Sequence, residues 1–115
     1  MRQYGGLPGQ PDENALAATL ARPQQQLAYE PKCTIFDLAA AYGFGLARNH
    51  CFPDGNKRVA LAAMDVFLML NGHDLVADEA EAVVIVNAVA AGEFSQPDLS
   101  EWLELNSKFL DEGAI

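Results

Sequence analysis

His50, Asp54, Gly55, Asn56, Lys57 and Arg58 fall within nine residues of one another, in the stretch HCFPDGNKR that begins at His50. Each type has a place in phosphate chemistry. A helix beginning near Asn56 offers backbone N–H groups with no partner inside the helix, at the positive end of its dipole. That end is a ready cradle for phosphate. Gly55 lets the backbone come close to a ligand. Lys57 and Arg58 add positive charge, and a guanidinium can grip two phosphate oxygens at once. Asp54 would repel an anion unless a cation lay between, and Mg²⁺ is the natural one, held by a carboxylate, phosphate oxygens and water. His50 supplies a base whose unperturbed pKa is about 6.5. Base, metal carboxylate and cradle together describe transfer from a nucleotide to a hydroxyl. The plainer alternative is an interhelical turn with a cationic flank. A P-loop is excluded, because no GxxxxGK[ST] is present.

The rest of the chain must position this cluster. With 115 residues it forms one domain, 1–115, large enough to bury a core without disulfides or structural metal. Arg48, Lys57 and Arg58 are three of only seven cations, and the net charge of −9 argues against general affinity for nucleic acid or anionic membrane. A cationic spot on so acidic a protein points to a small anion held at one place. No apolar run approaches the roughly 20 residues that span a bilayer, and the first residues lack the apolar region of a secretory signal. Cys33 and Cys51 have no ligand-spaced companions and are expected as free thiols in a reducing cytosol. Cys51 beside His50 lacks the third group that a thiol nucleophile would need.

The elements read as all-α, about five helices. Asp12 caps a helix over 13–22, ended by Pro23. A polar loop follows over about 23–33, long for a helix connection. Thr34, with Asp37 three residues on, starts a second helix. A third runs from about 56 to 71, closed by Gly72; its residues VALAAMDVFLML are apolar almost all round, which places it centrally. An acidic start at Asp78, Glu79 and Glu81 opens a fourth, in which Val83 to Val86 is helix rather than strand. The last helix is expected over about 96–110, with Leu99, Trp102, Leu103 and Leu110 packing. His73 is expected on the solvated surface, Asp65 against a polar neighbour, and Asn87 receives no role.

HCFPDGNKR resembles the Fic/Doc motif, His-x-Phe-x-(Asp/Glu)-Gly-Asn-Gly-Arg, and Lys57 in place of the second glycine resembles the Doc branch, the death-on-curing toxins of toxin–antitoxin pairs. YGGLPG, AYE, AR-x-H-x-F and FL-x-x-NG look Doc-like in matching order, so the likeness covers residues 4 to about 102. It implies a Fic/Doc-like helical bundle around the helix that follows the motif, lacking the usual first helix before YGG. It implies a cytoplasmic, Mg²⁺- and ATP-dependent protein kinase that moves the γ-phosphate to a threonine of elongation factor Tu and arrests translation. By the same resemblance His50 is the base and Asp54 the Mg²⁺ ligand. Gly55 and Asn56 form the anion cradle, Lys57 and Arg58 hold phosphates, and Arg48 is a supporting cation. Phe52 anchors the loop, and residues 24–32 hold the target segment. Leu61 stands where many Fic enzymes carry a second arginine. The implied partner is a small Phd-like antitoxin, with inhibition in trans because no (Ser/Thr)-x-x-x-Glu-(Gly/Asn) helix is evident. Gly55, where some Doc proteins have alanine, keeps the general Fic reaction, AMP transfer, as the alternative. A truncated, catalytically silent antitoxin-binding module is a third.

Overall fold

The computed structural model describes residues 12–49 and 55–110. Five helices account for most of them: α1 (Glu13–Tyr29), α2 (Ile35–Arg48), α3 (Asn56–Leu70), α4 (Glu79–Ala90) and α5 (Gln96–Leu105). Two three-residue strands, β1 (His73–Leu75) and β2 (Ser107–Phe109), pair antiparallel with His73 opposite Phe109. The all-α expectation holds. None of these helices is long and apolar enough to cross a membrane.

Local chemistry starts most helices where the sequence places them. Asp12 accepts from Ala15 N and Asp78 from Glu81 N. Thr34 and Asp37 form a full capping box, the aspartate reaching back to Thr34 N at 2.9 Å, and Ser95 and Asp98 form another. Each such cap satisfies backbone donors that the helix itself leaves open.

Two helix ends and the setting of one side chain differ from expectation. Proline inside a helix costs about 3 kcal/mol, yet α1 passes through Pro23 and continues to Tyr29, replacing most of the expected loop. Pro23 and Thr19, one turn apart, are the buried residues of α1, so packing overrides the local penalty. At the other end, α5 stops at Leu105 instead of reaching 110. Asn106 caps it and donates from Nδ2 to Trp102 O at 2.9 Å, and the chain then turns into β2. β2 in turn changes the setting of His73. The imidazole is half-buried rather than solvated, edge-on to Phe36 at 5.0 Å and to Phe109 at 4.9 Å.

The most enclosed element is α2. Ala39, Ala40, Ala41, Gly43, Gly45, Leu46 and Ala47 are all buried, and α1, α3, α4 and α5 all pack on this helix. Small residues on several faces let four helices approach it. α3, expected to be enclosed, buries only the stripe Ala60, Met64 and Leu68, while Val66, Met69 and Leu70 are exposed. The core joins that stripe to Leu46, Val86, Val89, Leu99 and Leu103. Trp102 is a packing residue, 7% exposed, with its indole N–H donating to Glu81 Oε2 at 3.2 Å. Asp65 is exposed.

Candidate anion site at the start of α3

α3 begins unlike the other four helices. Its N-cap is Gly55, in the left-handed region at φ 79°, a residue with no side chain of its own to cap the helix. That backbone angle suits glycine, because a Cβ would meet the carbonyl that follows. The first turns of α1, α2, α4 and α5 carry Glu13, Asp37, Glu79 with Glu81, and Asp98; that of α3 carries no acid. Lys57 and Arg58 stand there instead, both exposed, and neither has an ion-pair partner among the described residues. Cations at a helix N-terminus oppose the dipole by about 0.3–1 kcal/mol each. An arrangement unfavourable for the fold, on a chain of net charge −9, is favourable for a bound anion.

The two cations border a trough of about 260 Å³ between α3 and α4, walled by Leu61, Val83 and Val86, with Asn87 at its edge. Val83, Val86 and Asn87 recur at i, i+3 and i+4 and so share one face of α4. The Asn87 side-chain amide has no hydrogen-bond partner among the described residues. An apolar slot with a donor–acceptor group at its edge and two cations beside it suits a flat heterocycle carrying phosphates. Sequence reasoning missed Val83, Val86 and Asn87 as site residues. The signal available was an asparagine interrupting the apolar face of α4, which points at a partner only once α3 is placed beside it.

Arg48 ends α2, on the other side of the motif. Its guanidinium carbon lies 5.3 Å from the centre of the Phe44 ring, and its Nη2 would be 3.5 Å from a Cβ built on Gly92, just past α4. The carbonyl end of α4 is favourable for a cation. Arg22 of α1 lies over the same ring at 5.7 Å and donates from Nη2 to Gln96 Oε1 at 2.8 Å. Gln96 Nε2 donates in turn to Gln26 Oε1 at 2.8 Å. Arg48 itself is exposed, resting on the Phe44 ring beside Gly92.

Beyond that chain of amides lies a second, polar cleft of about 460 Å³, lined by Gln26, Glu30, Asp37, Gln96, Pro97 and Ser100. Burial pushes the Asp37 carboxyl up, but hydrogen bonds from Ser100 and Thr34 outweigh it and hold it below the usual range. Cys33 is a free thiol, raised by burial and by the charges of Asp37 and Glu30, which makes it a poor nucleophile.

Of the sequence-predicted site residues, the structure brings Lys57 and Arg58 together on the first turn of α3, with Gly55 and Asn56 forming that start. His50 and Asp54 lie outside the described residues, as do Cys51 and Phe52. Among the described residues no group of three or more His, Cys, Asp or Glu could hold a metal ion.

The Fic/DOC family matches residues 1–68. "Protein kinase doc" of Escherichia phage P1 is 38% identical over 101 residues, 88% of this chain and 79% of the relative. "Toxin Doc" of Mycolicibacterium smegmatis is 43% identical over 76 residues, 65% of this chain and 58% of the relative.

Proposed function

This chain belongs to the Fic/DOC family, and on that footing we propose that it is a Doc-type toxin kinase, moving the γ-phosphate of ATP to a threonine hydroxyl of elongation factor Tu. One observation carries the anion half of this reading: Lys57 and Arg58 stand exposed on the first turn of α3, which carries no acid. The name of the phage relative, a protein kinase, supports the choice of reaction.

The chemistry follows from the residues. Lys57, Arg58 and the first turn of α3 hold phosphate oxygens, while the trough between α3 and α4 receives the base. Asp54 would hold Mg²⁺ together with phosphate oxygens, and the ion would neutralise charge that develops during transfer. His50 takes the proton of the acceptor hydroxyl as its oxygen bonds to the γ-phosphorus. The bond from that phosphorus to the bridging oxygen breaks, and ADP leaves with the electron pair. Arg48, which precedes the motif in sequence, adds positive potential. The toxin acts in the cytoplasm, and its partner is a small Phd-like antitoxin.

AMP transfer by the same residues is the second reading. Gly55, at φ 79° and without a Cβ, leaves the cradle open to the nucleotide's other orientation. Intact-mass analysis of elongation factor Tu after incubation with Mg²⁺ and ATP separates the two. A gain of one phosphoryl group, mapped to a threonine, supports the kinase; a gain of one AMP supports the second reading. An unmodified factor contradicts both and leaves the silent antitoxin-binding module.

A further inference from the structure

Arg22 of α1 and Arg48 at the end of α2 both rest against the ring of Phe44, their guanidinium carbons 5.7 and 5.3 Å from its centre. Neither has an ion-pair partner among the described residues, although acids outnumber cations 16 to 7 in the chain. Arg22 is the more telling of the two. It is half-buried, its Nε is shielded from solvent without a hydrogen-bond partner, and its Nη2 donates to an amide, Gln96 Oε1, at 2.8 Å. A guanidinium drawn out of water costs free energy unless charge or hydrogen bonds compensate it. Contact with the Phe44 face returns about 0.5–1 kcal/mol, and Arg48 on the same ring adds repulsion between like charges. Packing alone does not ask for two guanidiniums there. A bound oxyanion would offset both charges, since a guanidinium meets one with two parallel N–H groups.

The surroundings decide which oxyanion fits. A line of amides runs on from Arg22: Gln96 Nε2 donates to Gln26 Oε1 at 2.8 Å, and Gln26 Nε2 reaches Glu30 Oε1 at 3.4 Å. Gln26, Glu30 and Gln96 line the polar cleft of about 460 Å³, together with Asp37 and Ser100. Each amide keeps a second N–H and a second lone pair to offer. Paired donors and acceptors of this kind meet the N–H and C=O groups of an extended polypeptide. The cleft also has a gradient of charge, from Arg22 at one end to Glu30 and Asp37 at the other. Those carboxylates disfavour a polyanion such as a nucleotide. A peptide with an acid only at the arginine end suits both ends.

We propose that Arg22 and Arg48, with the amide-lined cleft beside them, form a docking site for an extended segment of the acceptor protein that carries a glutamate or aspartate at the arginine end. The inference rests on the transferase reading above only in taking the partner to be the acceptor. Arg48 precedes His50, the proposed base, by two residues in sequence, so an acid held there belongs to the protein whose hydroxyl reacts.

The test uses the full chain and a short end-blocked peptide of alternating glutamate and serine. The same peptide with glutamine for glutamate, and inorganic pyrophosphate, are run alongside. The arginine Nε–H resonances, assigned with Arg22→Gln and Arg48→Gln, report contact directly. The glutamate peptide should move those of Arg22 and Arg48, and the glutamine peptide should not. Its affinity should fall about tenfold in Arg22→Gln and several-fold in Arg48→Gln, whose side chain is exposed and leaves the core in place. Arg22→Lys, which keeps the charge without the planar fork, should recover only part of the affinity. In transfer from ATP, Arg22→Gln should raise KM for elongation factor Tu several-fold and leave KM for ATP unchanged. No movement by the glutamate peptide, equal affinity in Arg48→Gln and wild type, or movement by pyrophosphate alone would each overturn the proposal. Peptide affinity lost in Arg22→Gln with KM for the factor unmoved would overturn the assignment to the acceptor. If the wild-type chain transfers nothing from ATP, the functional reading fails separately, and the peptide resonances alone decide the docking site.

Discussion

Lys57, on the first turn of α3, and Asn87, on α4, line the same trough although they stand 30 residues apart in sequence. Their roles in it separate cleanly. Lys57 opposes the helix dipole and gains only from a bound anion. Lys57→Ala should therefore weaken ATP binding about tenfold or more, the scale of a charge-assisted hydrogen bond. The same change should leave the free protein's stability unchanged or raise it by a few tenths of a kcal/mol, up to about 1. Calorimetric titration with ATP and thermal unfolding check the two signs.

Asn87 offers one acceptor and one donor on a single amide, the pattern that matches N6 and N7 of adenine. The corresponding edge of guanine presents two acceptors. Asn87→Val should cost about tenfold of the preference for ATP over GTP, with little effect on the affinity for inorganic triphosphate. Competition binding of the three ligands measures it.

Phe44 carries two guanidiniums, those of Arg22 and Arg48. Phe44→Leu removes both contacts at about 0.5–1 kcal/mol each. Unfolding in urea should report a loss of about 1–2 kcal/mol, which Phe44→Tyr largely avoids.

Asp37 accepts hydrogen bonds from Ser100 Oγ at 2.6 Å and from Thr34 N at 2.9 Å, and its pKa lies below the ordinary carboxylate value. A lowered folded-state pKa stabilises the fold above the unfolded value of about 3.9 and loses that effect as pH falls through the folded value. Asp37→Asn should cost about 1 kcal/mol at neutral pH. The gap between variant and wild type should close only as the pH drops below about 3.9. Urea unfolding across that window gives the measurement.

What was legible in the sequence was local. The caps at Asp12 and Thr34, the acidic start at Asp78 and the stop at Gly72 depend on neighbours within four residues, and the starts of α1, α2 and α4 follow from them. The motif's cations were legible for the same reason. What failed depended on tertiary contacts. Pro23 reads as a helix end until α2 lies beside it, and residues 107–109 read as helix until β1 offers a partner. The apolar sequence of α3 suggested an enclosed helix, but the small residues of α2 make that helix the one surrounded. For the site, Val83, Val86 and Asn87 were invisible because α4 reaches α3 only through the fold.

The central claim is that a hydroxyl displaces ADP from the γ-phosphorus, with His50 as base. Its most direct test incubates the chain with Mg²⁺, elongation factor Tu and ATP labelled at the γ- or at the α-phosphorus, with His50→Ala alongside. Label should reach the factor from the γ position only, with ADP as the other product, and neither should form with His50→Ala. Label from the α position with release of pyrophosphate would contradict it, as would transfer that survives the loss of His50.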